Sequence, residues 1–208
     1  MKITRIKKVK RRNKYKLFID NKYAFSLSKK ALDKFCLEEN QEFDSEELKY
    51  LREKIEFFEG EKALVHFLKY RFRSEKEMRR KLKLKKISNK VCERLIDKFK
   101  DYGYINDERF AENYLSDLLH HHPQGEYFIK KKLYQKGIDS NIIDKLFAKY
   151  VTKDKIQDMS DRLLKKKERS LQRYDIKKRK EKSLTYLQRK GFPYQVAKTS
   201  YDKIIEKE

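Results

Sequence analysis

A six-residue pattern occurs three times in this chain of 208 residues and constrains its fold more than any other feature. The copies, LKLKKI, LYQKGI and LQRKGF, occupy residues 82–87, 133–138 and 187–192, with offsets of 51 and then 54 residues. Each copy has the character of a helix ending. Apolar residues recur four and twelve positions after each copy, which is the spacing of one face of an amphipathic helix. The sequence therefore predicts three tandem helical modules.

The composition indicates that the core of such a chain is thin. Only 38% of the residues are hydrophobic and 43% are charged, whereas globular domains average about 45–50% and about 25%. Small modules that each bury one face against a neighbour tolerate so little apolar material. We therefore expect a mostly α fold in which three three-helix modules form an elongated array.

The positive charge is concentrated in three segments. The formal net charge is +23, and residues 1–22, 69–90 and 161–190 hold ten, eleven and thirteen Lys or Arg against one, two and four acids. A patch of one sign attracts polyanions, with an affinity that falls steeply in salt. A general lysine bias that only keeps the protein in solution is the alternative. The clustering favours a binding surface.

The first segment differs from the rest of the chain. Residues 14–19 and 23–28 are rich in β-branched and aromatic side chains and flank a turn at residues 20–22, while residues 3–9 predict a third strand. A short helix is expected over residues 29–36. A longer helix is expected to begin after Asp44 or Ser45 as N-cap, to continue through Phe57 and Phe58, and to end at Gly60. Residues 1–59 therefore form a predicted β-ribbon and helix extension.

The five glycines, all from position 60 onward, each fall at a predicted helix boundary. The predicted modules are residues 60–106, 107–151 and 152–208. Their helices are predicted over residues 61–72, 74–85 and 88–102, then 107–121, 125–136 and 140–150, and finally 154–169, 175–190 and 193–206.

The middle helix of module one carries a basic stripe. Ser74 followed three residues later by Glu77 predicts a capping box at its start. Met78 and Leu82 then share the inward face. The outward positions hold Lys76, Arg79, Arg80 and Lys83.

The stripe recurs in module two. Ile129 and Leu133 take the inward positions, and three lysines at residues 130–132 take the basic ones, with Tyr134 also on the outward side. In module three the charge lies earlier, at residues 177–180. A solvated face explains one stripe as well as binding does, but repeated stripes favour a surface for an extended polyanion or an acidic protein groove. The candidate binding residues are Arg71, Arg73, Lys76, Arg79, Arg80, Lys83, Lys130, Lys131, Lys132, Tyr134, Lys177, Lys178, Arg179 and Lys180.

The aromatic residues are 14 Tyr and 13 Phe, and two roles are open to them. Exposed tyrosines could stack on single-stranded bases, but helical spacing favours a place in the core for most of them. Core positions are expected for Phe67, Tyr70, Phe99, Tyr102, Tyr114 and Phe147. Tyr134 is the exception because it lies on the outward stripe.

No signature of catalysis is found. The sequence contains no P-loop, G-x-G-x-x-G, G-x-S-x-G, H-E-x-x-H or paired-cysteine zinc motif, so we expect no enzyme, no cofactor and no metal. Three adjacent histidines at residues 120–122 are interpreted as a solvated loop. Two isolated cysteines indicate a reducing compartment. Without a signal-peptide core or an apolar run of 18 residues, a cytoplasmic protein that does not enter a membrane is expected.

Residues 101–107 read DYGYIND and are followed by Arg109, Phe110 and Ala111. This segment resembles the linker between modules in the RecX regulatory family, and similar short motifs extend across residues 61–150. Within this linker Gly103 is expected to end one helix and Asn106 or Asp107 to cap the next. Also similar are Arg71-Phe72-Arg73-Ser74, Gly125 and Lys136-Gly137-Ile138, whereas Lys86 stands where the family has glycine.

The resemblance implies a regulator of RecA. It implies an all-helical, crescent-like, curved protein that lodges in the groove of the RecA filament on single-stranded DNA. Such a protein limits filament growth and damps the ATPase, strand-exchange and coprotease activities. The resemblance thus implies a binding protein and not an enzyme. Repeat arrays of this kind are usually monomeric, so a monomer is expected.

Three alternatives remain open from the residues alone. A protein of this charge could bind DNA or RNA without sequence preference and without RecA. Three-helix units can also act as helix-turn-helix readers, although no base-reading side chains can be named. Finally, the β-ribbon could be an independent docking element.

Overall fold

The computed structural model describes residues 1–10 and 13–204, which form a three-stranded antiparallel sheet followed by helices. This confirms the predicted class, a mostly helical chain with a small N-terminal β-ribbon. The strands are β1 (Ile3–Lys8), β2 (Lys14–Ile19) and β3 (Lys22–Ser28). The helices are α1 (Lys29–Lys34), α2 (Ser45–Leu68), α3 (Glu75–Leu84), α4 (Asn89–Asp101), α5 (Asp107–His121), α6 (Glu126–Gln135), α7 (Ser140–Tyr150), α8 (Lys153–Leu171), α9 (Ile176–Arg189) and α10 (Tyr194–Ile204). Residues 205 and 206, the end of the last predicted helix, lie outside the described residues.

The chain divides into two compact units, Met1–Ile105 and Asn106–Glu208. In the first unit the strands follow the order β1-β2-β3. Asp20 and Asn21 turn the chain between β2 and β3 with φ values of 47° and 63°, as in the type I′ turn that suits a two-residue hairpin. The sheet packs one face against α1 and α2.

The second helix of the structure corrects the predicted boundary at Gly60. Helix α2 runs without interruption through this residue, so a separate helix over residues 61–72 was wrong. Gly60 is buried, and a Cβ built on it would lie 2.5 Å from Cδ1 of Leu95 in α4. The glycine therefore permits the close approach of two helices and does not end one. The predicted division at residue 59 falls inside α2, and the four-part division of the chain stays a prediction.

The three repeated endings have one backbone geometry. In each, the N–H of the sixth residue donates to the carbonyl of the first over 3.2 Å, from Ile87 to Leu82, from Ile138 to Leu133 and from Phe192 to Leu187. This is the Schellman pattern of a helix C-terminus. The fifth residue has positive φ, 85° and 86° at the two glycines and 58° at Lys86. Lys86 thus adopts the left-handed conformation at the position where the other two endings have glycine.

A buried polar network joins α8 to α10 in the second unit. The Ser200 hydroxyl donates to Asp161 Oδ1 over 2.7 Å, and the Lys203 ammonium lies 2.6 Å from Asp161 Oδ2. Gln157 donates to the same carboxylate over 2.9 Å. Burial opposes ionisation of Asp161, but the hydrogen bonds from Lys203, Gln157 and Ser200 outweigh it and lower the pKa of this carboxyl.

Gly125 packs the start of α6 directly on the turn after α9. Its N–H donates to the Lys190 carbonyl over 2.9 Å. A Cβ at Gly125 would lie 1.7 Å from the Gly191 carbonyl oxygen, so no side chain fits unless one backbone segment moves. This contact fixes α6 against α9 within the second unit.

Replacement of Gly125 by alanine is expected to destabilise the protein by about 2–3 kcal/mol, because the added methyl group overlaps backbone that cannot rotate away. Gly103→Ala is the matched control. That residue has φ of 70° but open space around its Cβ position, so backbone strain alone should cost about 1 kcal/mol. Urea unfolding followed by circular dichroism measures the loss in free energy of unfolding for both variants. Equal losses would contradict a close contact at Gly125.

Candidate nucleic-acid interface

One exposed face of α3 carries three cations in a row. The Ser74 hydroxyl accepts the Glu77 N–H over 3.3 Å and fixes the first turn. Met78 and Leu82 are fully buried, which turns the opposite side of the helix to solvent. There the exposed side chains of Lys76, Arg80 and Lys83 follow the spacing i, i+4, i+7, and we call these three residues the α3 face. Within residues 1–10 and 13–204 these side chains make no salt bridge or hydrogen bond.

The equivalent face of α6 combines a cation with two tyrosines. Tyr127, Lys131 and Tyr134 lie 51 residues after the members of the α3 face and are exposed, and we call them the α6 face. The two tyrosines are 65% and 46% exposed. The Lys131 ammonium lies 6.0 Å from the centroid of the Tyr127 ring. Lys131 and Tyr134 were predicted from the sequence, but Tyr127 was not, although its offset of 51 residues from Lys76 indicates the equivalent position.

The two faces favour different parts of a nucleic acid. Ammonium and guanidinium groups without internal partners can pair with phosphates and release counterions. Exposed tyrosine rings can stack on bases of any sequence, which contributes about 1–3 kcal/mol per base. Neither face presents a set of amide or guanidinium groups arranged to read a base pair.

Arg79 does not belong to the exposed stripe. Its guanidinium binds Glu75 over 2.6 Å and both carboxylate oxygens of Glu93 over 2.5 and 2.8 Å, which ties α3 to α4. The hydrogen bond to Glu93 is the main reason why the pKa of Arg79 is raised. The side chain is half-buried and not fully outward as expected, because two carboxylates draw it against the helix pair.

Lys130 repeats this ion pair in the second unit. Its ammonium lies 2.8 Å from Asp144 Oδ1 in α7, and both partners stand 51 residues after Arg79 and Glu93. The hydrogen bond to Asp144 raises the pKa of Lys130. Lys132 is half-buried on the same helix. A cation on α3 or α6 and an acid on the helix that follows, α4 or α7, thus form a repeated interhelical clamp.

The two arginines before α3 fix the loop that leads into it. Arg71 forms two hydrogen bonds with the Glu77 carboxylate, over 2.8 and 2.9 Å. The Arg73 guanidinium lies 3.9 Å from the Phe67 ring centroid and donates to the Phe67 carbonyl over 3.2 Å, at the end of α2. Burial, and then the nearby charge of Arg71, lower the pKa of Arg73. Both side chains are therefore engaged within the fold.

The basic residues 177–180 of α9 also include both side chains that contact the fold and side chains that are exposed. Arg179 donates to the Gln172 carbonyl over 3.2 Å, and the Lys180 ammonium lies 5.4 Å from the centroid of the Tyr201 ring. Lys178 lies 5.7 Å from the centroid of another ring, that of Tyr174. Lys177 is exposed. On α9 the positions equivalent to the α3 face hold Glu181, Thr185 and Gln188, so this face is not basic.

The predicted core placement holds for some of the six aromatic residues and fails for two. Phe99 and Phe147 are buried, and Phe67 and Tyr114 pack against the core with partial exposure. Tyr70 and Tyr102 are 74% and 66% exposed. Tyr70 lies beyond the end of α2, and Tyr102 is the C-cap of α4. Periodicity placed both in the core because it cannot locate the last helical turn.

Neither a metal centre nor a membrane span is found among the described residues. No group of three or more His, Cys, Asp and Glu side chains in this part of the chain could hold a metal ion. The histidines at residues 120–122 are exposed at the end of α5. No helix within residues 1–10 and 13–204 has the length and apolar character that crossing a membrane requires.

Comparison with known proteins identifies the family. Residues 62–99 match the first three-helix domain of RecX, and residues 106–146 match the second. A regulatory protein RecX from Bacillus velezensis is 34% identical over 93% of this chain and 74% of its own length. The chain belongs to the RecX family. The regulatory protein RecX of Bacillus subtilis is 32% identical, over 97% of this chain and 76% of that protein.

Solved RecX structures agree with this assignment. One regulatory protein RecX covers 100% of this chain and 99% of its own, with a TM-score of 0.66 and 25% identity. RecX from Lactobacillus salivarius covers 72% of this chain and 96% of its own, with a TM-score of 0.63 and 27% identity. The likeness therefore includes the regions outside the two matched domains.

The RecX linker motif has the expected local structure in this chain. Gly103 has φ of 70° and donates to the Lys100 carbonyl over 2.8 Å. Ile105 is buried. The Asn106 side chain accepts the Arg109 N–H over 2.8 Å and caps α5. The motif thus ends one helix and begins the next, as predicted.

Adjacent arginines on α3 should differ in their effect on stability. Arg79→Met keeps the apolar stem but removes the clamp, and should lower the free energy of unfolding by about 1 kcal/mol. Arg80→Met should change it by less than about 0.5 kcal/mol. Urea unfolding in low and high salt measures the free energy of unfolding of both variants. High salt should reduce the difference between them, because it screens the ion pairs of Arg79. Equal effects of the two substitutions would refute the assignment of Arg79 to the clamp.

Proposed function

We infer that this RecX chain modulates RecA recombinase. It binds the RecA filament on single-stranded DNA and inhibits filament growth, and it thereby lowers the ATPase, strand-exchange and coprotease activities. Membership of a family whose members are named regulatory proteins carries the proposal. The absence of catalytic signatures from the sequence supports a binding protein and not an enzyme.

The proposed contacts are the cations without internal partners. The α3 face offers three positive charges, and the α6 face offers one cation between two exposed rings. A RecA filament presents protein and DNA phosphate together, so a row of cations and a stacking surface on one chain suit both components. Arg71, Arg73, Arg79, Lys130 and Arg179 are assigned mainly to the fold because internal acceptors hold their side chains.

A second candidate is a protein that binds single-stranded DNA or RNA without RecA. The α6 face favours it, because exposed tyrosines beside a lysine suit bases better than they suit an acidic protein surface. The two candidates differ in whether RecA is needed for tight binding at physiological salt.

The steady-state ATPase rate of RecA on single-stranded DNA distinguishes the candidates. The chain is titrated into the reaction at physiological salt, from sub-stoichiometric to equimolar ratios to RecA. Inhibition is expected well below one chain per RecA, because a bound regulator that blocks growth acts on many RecA molecules. Inhibition that begins only when the chain saturates the DNA would favour simple competition for the strand and would reject the RecA-directed function.

A further inference from the structure

The N-terminal sheet has two edges, and a segment of the chain itself covers the edge formed by β1. The Ile3 N–H donates to the Gln41 carbonyl over 2.9 Å, and the Ile6 N–H donates to Glu39 Oε1 over 2.7 Å. The covering segment, residues 38–42, reads Glu-Glu-Asn-Gln-Glu. An acidic segment, which turns at Asn40 with φ of 72°, thus satisfies part of this edge.

The edge formed by β3 is covered only at its end. The Ser28 N–H points away from β2 and donates to Glu59 Oε1 over 2.8 Å. Ser28 pairs with Lys14 and Ser26 pairs with Lys16 in the ladder. Because the direction of the backbone groups alternates along an antiparallel strand, Ser26 also directs its N–H and C=O outward. No turn, loop or side-chain hydrogen bond among the described residues reaches these two groups.

A groove of about 990 Å³ lies beside this edge, within the first unit. Residues 23–28 of β3 form one wall, the second half of α2 forms the other, and residues 85–87 close one end. Ile55 and Phe58 contribute apolar surface to it. The ladder passes from the pair Leu17–Phe25 to the pair Phe18–Tyr23, which leaves Ala24 as a bulge. The regular part of the edge that an added strand could join is therefore residues 25–28.

The lining of the groove is basic. Its carboxylates are paired within the fold, whereas, among the described residues, the ammonium groups of its lysines are not. The three carboxylates in it are paired, Glu56 with Arg52, Glu59 with the Ser28 N–H and Glu61 with Lys98. The six lysines make no salt bridge or hydrogen bond with their ammonium groups to any described residue; they are Lys14, Lys30, Lys62, Lys69, Lys85 and Lys86. A ligand of negative charge would complement the groove.

We propose that this groove binds an acidic peptide segment, which joins the edge of β3 as a fourth strand while its carboxylates pair with the lysines. Residues 38–42 provide an internal precedent for the charge, since an acidic segment of the chain already accepts hydrogen bonds from backbone N–H groups at the other edge. A nucleic acid could pair with the lysines but offers no regular backbone partners for the strand edge. A second copy of the chain would bring two sets of lysines together. None of the residues that line the groove belongs to the α3 face or the α6 face.

The test uses the whole chain and an eight-residue fluorescent peptide of alternating glutamate and valine. Fluorescence anisotropy at physiological salt should show saturable binding. The same peptide with its central amides N-methylated keeps its charge but cannot pair with a strand, so its affinity should fall at least about tenfold. This comparison needs no altered protein.

Protein variants locate the site. Ser26→Pro removes the outward N–H without loss of a ladder hydrogen bond, and Lys62→Glu with Lys69→Glu reverses two groove charges on α2. Each should weaken peptide binding at least about tenfold. Lys145→Glu with Lys153→Glu makes the same charge change at exposed positions in the second unit and should alter the affinity less than about twofold. Circular dichroism confirms that each variant is folded.

Four outcomes would overturn the proposal. The first is no peptide binding, and the second is equal binding of the N-methylated peptide, which would indicate attraction by charge alone. The third is tighter binding of an eight-nucleotide oligothymidylate that Lys62→Glu with Lys69→Glu abolishes, which would make the groove a nucleic-acid site. The fourth is a dimer in sedimentation that Ser26→Pro dissociates, which would assign the edge to a second copy.

Discussion

A chain with 38% hydrophobic and 43% charged residues must place charged side chains at contacts between its helices. The clamp of Arg79 with Glu93, repeated as Lys130 with Asp144, is the clearest result of this constraint. It links α3 to α4 and α6 to α7, each beside a buried apolar cluster. Partly exposed ion pairs stabilise a protein only modestly, but here each also fixes which cations remain for binding.

The repeat therefore separates two uses of positive charge along one helix. Arg79 and Lys130 face the neighbouring helix, whereas one residue later Arg80 and Lys131 face solvent. The same division occurs in α9, where Arg179 contacts a backbone carbonyl and Lys177 is exposed. Composition alone gives the sum of these charges. Only the helix positions and the acids opposite them decide which cations are free to meet a partner.

Much of the fold could be predicted from the sequence, because helix endings and caps are local. The Schellman endings, the Asn106 cap and the hairpin at residues 20–22 depend on a few neighbouring residues. Gly60 was misread because a buried glycine inside a helix depends on the distant Leu95, which local patterns do not show.

The candidate site was less predictable, because the contacts that decide which cations are paired join residues that are distant in the sequence. Carboxylates that pair with Arg79 and Lys130 lie 14 residues away, on another helix. Tyr102 was misplaced because one residue separates a core position from an exposed cap. The edge of β3 is open because the segment after α1 folds back over β1 and not over β3. Residue types alone do not determine which edge that segment covers.

We propose that unpaired cations, and not the total positive charge, bind the RecA filament. The most direct test is the affinity for RecA-coated single-stranded DNA of Lys76→Glu, Arg80→Glu and Lys83→Glu combined, at physiological salt. The control combines Lys145→Glu, Lys153→Glu and Lys198→Glu, which change the net charge equally at exposed positions. We expect the affinity to fall at least about a hundredfold for the first variant, if each lost pair costs about 1 kcal/mol or more, and to fall only slightly for the control. Equal losses would contradict this assignment of the binding cations.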